Sequence, residues 1–179
     1  MNLPCMIEVA LACAAWSRLC PTAESLMRAA AELALARGTT ALGLAWQGDV
    51  ELGISLADDA NQQQLNRDYR GRDKPTNVLA FPVWEPGTRL PSGAPVLLGD
   101  VVLALESVAQ EAAEQEKPIG DHLVHLTVHG VLHLLGYDHL TGAEAAAMES
   151  LERSILAELG VPDPYRDTMS SLEPAAVQP

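Results

Sequence analysis

The sequence predicts an α+β fold: a single domain in which a small, mostly four-stranded mixed sheet packs with about five helices. The first observation is length, because 179 residues fit one hydrophobic core. The second is composition, since 48% hydrophobic and 20% charged residues are typical of a globular chain. The third is that short strand and helix patterns occur in mixed order, with no internal repeat or linker. We expect the domain to span residues 1–160 and a poorly ordered tail, rich in Pro and small residues, to span 161–179.

The first two elements are a strand and a helix. Residues 6–11 include Ile and Val in a short apolar run, which favours a strand. Residues 23–37 are rich in Ala, Leu and Glu with apolar residues at helical spacing, which predicts a helix. We expect Gly38 to end this helix.

The middle of the chain alternates between strands and a helix. Residues 51–57 place apolar side chains at every second position, as in a half-buried strand. Asp58 is a good N-cap for a helix that runs to about Tyr69. Residues 77–81 read as a further strand, and residues 85–95, with three Pro and two Gly, indicate a surface loop.

The last third contributes one strand and three helices. Residues 96–105 are rich in Val and Leu and predict a strand, followed by a helix over 106–116. Pro118 and Gly120 interrupt the helical pattern, so the next helix is expected to start near Asp121. The last helix begins at the capping box that Thr141 opens and ends near Gly160.

Charge and hydropathy exclude two classes of protein. Eleven basic against 24 acidic side chains give a formal charge of -13, which argues against a protein that coats nucleic acid. No apolar stretch reaches the roughly 18 residues of a membrane span, so we expect no membrane association.

All five histidines lie within 18 residues, and four of them follow helical spacings of three, four and four: His122, His125, His129 and His133, with His139 beyond. His129 and His133 are one helical turn apart and can bind the same metal ion. Gly136 can end the helix in a conformation that few other residues tolerate, so the chain can return and bring His139 to that ion.

The three-histidine and glycine spacing matches the zinc helix of the metzincin metalloproteases. Those enzymes place a Glu general base directly after the first histidine, whereas this chain has Gly130. The metal geometry is therefore retained without the usual base for peptide cleavage.

Three imidazoles leave a fourth position for water, whose pKa a zinc ion would lower to about 7, so the pattern indicates a catalytic metal site. The pattern does not identify the metal, because three imidazoles also suit nickel, copper and iron. For His122 and His125 we expect a supporting or surface role. Asp138 is explained equally well by orienting an imidazole or by turn chemistry.

A basic segment, residues 67–74, concentrates Arg67, Arg70, Arg72 and Lys74 with two Asp, which leaves a local charge of +2. Its side chains either neutralise each other on a solvated loop or form a clamp for phosphate oxygens. Position alone does not separate these interpretations.

Three segments together resemble the YbeY family of bacterial endoribonucleases: YRGRDKPTNVLAFP at 69–82, LGD at 98–100 and HGVLHLLGYDH at 129–139. The match covers roughly residues 7–160. The resemblance implies a cytoplasmic, single-strand-specific, metal-dependent endoribonuclease that acts in 3′-end maturation of 16S rRNA and in ribosome quality control, with the small ribosomal subunit or its assembly factors as partners. It also implies one zinc ion held by His129, His133 and His139, and Arg70 as the functionally important arginine.

Two alternatives remain at this point: a metzincin-like metalloprotease, and a non-catalytic ribosome assembly factor whose zinc only stabilises the fold. For the nuclease, the sequence identifies no proton-transfer group. The attacking nucleophile is either water or the RNA 2′-hydroxyl.

Overall fold

A computed structural model describes residues 5–166 of the chain. The elements in chain order are β1 (Cys5–Leu11), α1 (Trp16–Leu19), α2 (Ala23–Ala41), β2 (Val50–Ala57), α3 (Asp59–Arg70), β3 (Val78–Pro82), β4 (Val96–Ala104), α4 (Leu105–Glu114), α5 (Ile119–Leu134) and α6 (Gly142–Glu158). The α+β class and the four-stranded mixed sheet predicted from the sequence are confirmed.

The strand order is β1-β2-β4-β3. β1 pairs with β2 and β2 with β4 in parallel, while β3 pairs with β4 antiparallel and forms one edge. Each parallel pair requires a crossover connection, which α2 supplies between β1 and β2. A bulge in β4 at Gly99 shifts the register against β2. Gly99 has a φ of 133°, and a Cβ there would lie 2.2 Å from the main-chain oxygen of Phe81.

The core lies between one face of the sheet and the helices α2 and α5. The alternation predicted for β2 is present: Val50, Leu52, Ile54 and Leu56 are all buried on this face. α5 is the central helix, since it contacts α2, α4, α6 and the strands β3 and β4. Because α5 is packed on nearly all sides, its side chains are held in fixed positions.

The predicted helix ends at Asp58 and Thr141 are confirmed. The Asp58 carboxylate accepts a hydrogen bond from the Asn61 main-chain nitrogen at 2.8 Å. Thr141 and Glu144 form the reciprocal capping box at the start of α6. At its other end, α3 stops at Gly71, whose φ of 65° is the left-handed conformation that favours glycine.

The prediction that Gly38 ends the first long helix is wrong. α2 continues to Ala41, and Gly38 lies inside it. A Cβ at Gly38 would lie 2.4 Å from Cδ1 of Leu135, so this glycine allows close approach of α2 to the end of α5. The structure also contains the four-residue helix α1, which the sequence did not predict, and α5 starts at Ile119 rather than near Asp121.

No helix in the part of the chain that the structure describes is both long and apolar enough to cross a membrane. The predicted tail begins at residue 161. Its residues 167–179 lie outside the described residues, whereas 161–166 follow α6 and pack back on it.

Candidate metal centre

His129 and His133 lie one turn apart on α5, and their rings meet at the same point. Their Nε2 atoms are 3.0 Å apart. The helix is held close to the sheet at this turn because Gly130 faces Val101 of β4, where a Cβ would lie 2.7 Å from Cγ1 of the valine. The residue that the sequence pattern marked as lacking a general base is therefore a packing position with no room for a Glu side chain.

The turn after α5 brings the third histidine to the same place, as the sequence predicts. Gly136 has a φ of 90°, and a Cβ there would lie 2.5 Å from Cγ of Pro86. The chain then reverses, so that one ring nitrogen from each of His129, His133 and His139 lies within 4.8 Å of the other two. The three could hold one metal ion.

Hydrogen bonds on the far side of two rings fix which nitrogen faces the centre. Nδ1 of His129 donates to the Glu152 carboxylate at 2.6 Å, and Nδ1 of His133 donates to the main-chain oxygen of Tyr137 at 2.9 Å. Each Nε2 then carries the lone pair that a metal requires. A tetrahedral ion with bonds of about 2.0–2.1 Å holds its nitrogens roughly 3.3 Å apart, close to the observed spacing.

The electrostatics also favour the neutral form of the His133 imidazole. Burial, and next the neighbouring His129 and His139, lower the pKa of His133 to about 4. Metals bind the neutral form of histidine, so this site does not have to lose a proton from His133 at neutral pH. Asp138 plays the turn role of the two that the sequence allowed, because its Oδ1 accepts from the main-chain nitrogen of His139 at 2.8 Å.

Glu152 of α6 is a site residue that sequence reasoning missed. Its side chain is 0% exposed and both carboxylate oxygens have partners: Oε1 accepts from His129, and Oε2 accepts from the hydroxyl of Tyr165 and lies 3.8 Å from Nε2 of His125. Burial alone would raise the pKa of Glu152, but the contacts with His125 and His129 outweigh it and hold the pKa at about 2. The carboxylate is therefore ionised.

Tyr165, which follows α6, was missed as well. Burial, and next the hydrogen bond to Glu152, raise the pKa of its hydroxyl far above the ordinary value, so the hydroxyl remains a donor. The ring stacks edge-on against His125 and lies under the guanidinium of Arg153. These contacts place part of the predicted tail directly behind the histidine cluster.

A signal for Glu152 existed in the sequence. Met148, Glu152, Ile155 and Leu156 share one face of α6, and all four are buried. A single acidic residue on an otherwise apolar helical face is unusual and points to a paired, buried carboxylate. Tyr165 offered no comparable signal, since a Tyr between Pro and Arg fits a surface turn.

His122 makes a separate pair with a carboxylate. Its Nε2 lies 2.7 Å from Oε2 of Glu111, and Nδ2 of Asn77 donates to the same carboxylate at 2.9 Å. The supporting role expected for His122 and His125 thus takes the form of two carboxylate contacts, at Glu111 and Glu152. Neither His122 nor His125 belongs to the group of three that could hold the ion.

The basic segment divides into two parts. Arg67 pairs with Asp68 and Asp73 at 3.6 and 3.7 Å, as expected for a self-neutralising surface run. The other three cations, Arg70, Arg72 and Lys74, line a cavity of about 300 Å³ whose wall also includes Asn77, Ser107 and Glu111.

Arg70 is connected to the histidine helix indirectly, through the edge strand β3 and its neighbour β4. Its Nη2 donates to the main-chain oxygen of Ala80 at 3.3 Å. Ala80 pairs with Val101, and Val101 is the residue against which Gly130 packs, directly after His129. The shared cavity wall at Glu111, which contacts His122, gives a second connection between the cations and the histidine helix.

Fold and site define an α+β protein that carries a three-histidine cluster and a cavity lined by three cations. A family model described as Endoribonuclease YbeY matches residues 21–160. Endoribonuclease YbeY of Paramagnetospirillum magneticum is 51% identical over 166 residues, covering 92% of this chain and 98% of the relative. Endoribonuclease YbeY of Rhodopseudomonas palustris strain BisA53 is 56% identical over 119 residues, which is 66% of this chain and 69% of the relative.

The fold is also found in a solved structure. The solution structure of TM1509 from Thermotoga maritima has a TM-score of 0.57 with 23% sequence identity, covering 97% of this chain and all of the other. At that identity the likeness concerns the fold. Together with the family model and the relatives, it establishes that this chain belongs to the YbeY endoribonuclease family.

Proposed function

We propose that this protein is a single-strand-specific, zinc-dependent endoribonuclease of the cytoplasm that acts in 3′-end maturation of 16S rRNA and in ribosome quality control. Membership of the YbeY family supports the RNA-cleaving activity. The observation that carries the mechanism is the convergence of His129, His133 and His139. Three cations line a cavity, and one of them, Arg70, is connected to the histidine helix through Ala80 and Val101.

The proposed metal ligands are His129, His133 and His139, with one zinc ion. When bound, zinc would polarise a phosphoryl oxygen and lower the pKa of a coordinated water. The chain's own contribution is to present two lone pairs from a rigid helix and a third from the turn at Gly136. The sequence position of the protease general base is occupied by Gly130, which is packed on Val101.

The proposed role of Arg70 is to bind the phosphate at the cleavage point and stabilise the charge that develops there. A planar guanidinium matches two phosphate oxygens. The bond from Arg70 to Ala80 anchors the end of the side chain on the strand next to the histidine helix. Arg72 and Lys74, on the same cavity, are placed to contact neighbouring phosphates.

The distribution of charge constrains how RNA approaches. The chain carries -13 overall, whereas residues 67–74 carry +2. RNA would therefore be repelled by most of the surface and accepted at the basic cavity. This supports a substrate held by a ribosomal particle, with the small subunit or its assembly factors as partners, over free RNA.

The decisive experiment measures cleavage of a single-stranded RNA spanning the 3′ end of 16S rRNA by zinc-loaded protein. We expect His129→Ala to abolish cleavage and Arg70→Ala to lower it by about 10²–10³-fold, the usual effect of losing one donor to developing charge. Arg67→Ala is the matched control, because it removes a cation from the same helix that is already paired with Asp68 and Asp73. A duplex of the same sequence should resist.

The same preparation distinguishes the other functions. Retained cleavage in both Arg70→Ala and His129→Ala, with chelation merely unfolding the protein, would favour an assembly factor with structural zinc. Metal-dependent digestion of a peptide library would favour a metalloprotease. Equal cleavage of naked rRNA and of small-subunit particles would contradict the proposed ribosomal substrate.

The termini of the product identify the attacking group. A 2′,3′-cyclic phosphate means that the RNA 2′-hydroxyl attacks, and a 3′-hydroxyl with a 5′-phosphate means that water attacks.

A further inference from the structure

Glu152 is a fully buried carboxyl group directly behind His129, one of the proposed metal ligands. Taking a carboxylate out of water costs several kcal/mol unless its partners compensate. An apolar residue at this position of α6 would continue the face formed by Met148, Ile155 and Leu156. The position of the charge therefore calls for an explanation other than packing.

The geometry explains it. Oε1 of Glu152 accepts from Nδ1 of His129 at 2.6 Å, a short charge-assisted hydrogen bond. That bond fixes the proton on Nδ1, directs the Nε2 lone pair toward His133 and makes the imidazole a better electron donor. His133 has only a neutral main-chain oxygen behind it, so His129 is the ligand with the stronger support.

The other oxygen of Glu152 connects the centre to the end of the described chain. Oε2 accepts from the hydroxyl of Tyr165. Tyr165 in turn is held by its neighbours, since its main-chain nitrogen donates to Asp163 at 2.9 Å and Asp163 pairs with Arg153 of α6 at 3.4 Å. Residues 163–165 therefore contact α6 twice, through the Asp163–Arg153 ion pair and through the Tyr165 hydroxyl on Glu152.

We propose that Glu152 is a positioning residue for the metal ligand His129 and that Tyr165 holds the Glu152 carboxylate, so that the segment after α6 is part of the metal centre. The inference rests on the three-histidine metal site of the proposed function. It assigns to α6 and its extension a role in metal affinity that the three segments carrying the family resemblance, the last of which ends at His139, do not include.

The experiment measures zinc affinity by competition with a chromophoric chelator, without any RNA. Loss of a carboxylate behind a ligating histidine is expected to weaken binding about 10–100-fold in Glu152→Gln. Tyr165→Phe removes only the hydroxyl and should weaken binding about three- to tenfold, less than Glu152→Gln, because the lost hydrogen bond acts on His129 only through the Glu152 carboxylate. Glu158→Gln is the matched control, since Glu158 is an exposed carboxylate on the same helix whose partner is Arg37 of α2.

A second measurement separates positioning from general stability. In metal-free protein, the imidazole ¹⁵N shifts of His129 should show a proton on Nδ1 in the wild type and in Glu158→Gln, and a mixture of tautomers in Glu152→Gln. If Glu152→Gln fails to fold, Tyr165→Phe still decides the question, because it leaves the buried carboxylate in place.

Wild-type zinc affinity in folded Glu152→Gln, or an unchanged affinity in Tyr165→Phe, would overturn the corresponding part of the proposal. If the wild-type protein itself fails to bind zinc, or if His129→Ala binds it normally, the metal site of the proposed function is wrong instead.

Discussion

Replacing Gly130 by Ala tests how tightly the histidine helix is held against the sheet. The added Cβ would lie 2.7 Å from Cγ1 and 3.1 Å from Cγ2 of Val101. Val101 is completely buried, and a β-branched side chain in a strand has little freedom to rotate away. The strand or the helix has to move.

The magnitude follows from two opposing effects. Overpacking a well-filled core costs about 1–3 kcal/mol. Ala is favoured over Gly inside a helix by about 1 kcal/mol. We therefore expect Gly130→Ala to lower the free energy of unfolding by up to about 2 kcal/mol, a fall in Tm of up to roughly 8 °C for a chain of this size.

The assay is urea unfolding of metal-free protein, combined with the double variant Gly130→Ala/Val101→Ala. Val101→Ala alone destabilises the protein by creating a cavity. In that background the new Cβ enters the vacated space, so Gly130→Ala should become stabilising by about 1 kcal/mol. A Gly130→Ala single variant at least as stable as wild type, or an effect that keeps its sign in the double variant, would show that α5 is not pressed onto β4 at this turn.

Three further predictions concern the turn after α5, the cap of α6 and acid sensitivity. Gly136→Ala should destabilise the protein by about 2–4 kcal/mol and weaken zinc binding, because it combines a left-handed φ of 90° with a steric clash. Gly43→Ala is the control: with a φ of 65° and open space around it, it should cost only about 1–2 kcal/mol and leave zinc affinity unchanged. Thermal unfolding measures the stability change, and competition with a chelator measures zinc affinity. Thr141→Ala removes the N-cap of α6 and should cost about 1 kcal/mol in urea unfolding, with Thr141→Ser restoring most of it. Burial lowers the pKa of His122 below its ordinary value of 6.5, so the unfolded chain binds the proton more readily and this contribution to stability, present above pH 6.5, is lost as the pH falls below it. Urea midpoints of metal-free His122→Gln should consequently decline less steeply between about pH 7 and 5 than those of wild type, and parallel slopes would contradict this account.

The elements of the fold were predictable where a local rule decides them. The alternation of β2 and the caps at Asp58 and Thr141 depend on residues close in sequence, and all three predictions were confirmed. Gly38 shows where such rules fail. A glycine can end a helix or allow another element to approach, and only the distant Leu135, which packs against it, decides between the two. Strand order could not be predicted from local rules either, because the β1-β2-β4-β3 arrangement depends on pairings between residues far apart in the chain.

In the candidate site too, the residues that local sequence rules decide were predicted, and those that depend on distant contacts were missed. The ligand positions follow from helical spacing and from Gly136, so the histidine cluster was predicted from one segment of 11 residues. Glu152 and Tyr165 come from a different helix and its extension, 23 and 36 residues beyond His129. What brings them to the centre is the packing of α6 on α5, which no local pattern encodes. The basic segment was visible as a cluster of four cations, but only the family resemblance singled out Arg70, and its bond to Ala80 required the edge strand to be in place.

The three proposed metal ligands differ in how firmly the protein holds them. His129 and His133 are half-buried on a central helix and are backed by Glu152 and Tyr137, whereas His139 is exposed on the turn. Release of the ion should therefore be sequential, with the exposed ligand detaching first and the helical pair retaining the ion briefly. A chelator that enters at this side can form a mixed complex before it removes the ion, so the rate of metal loss should rise with chelator concentration. We therefore expect the ion to exchange faster than its equilibrium affinity alone would suggest, because one of the three proposed ligands is exposed and detaches easily.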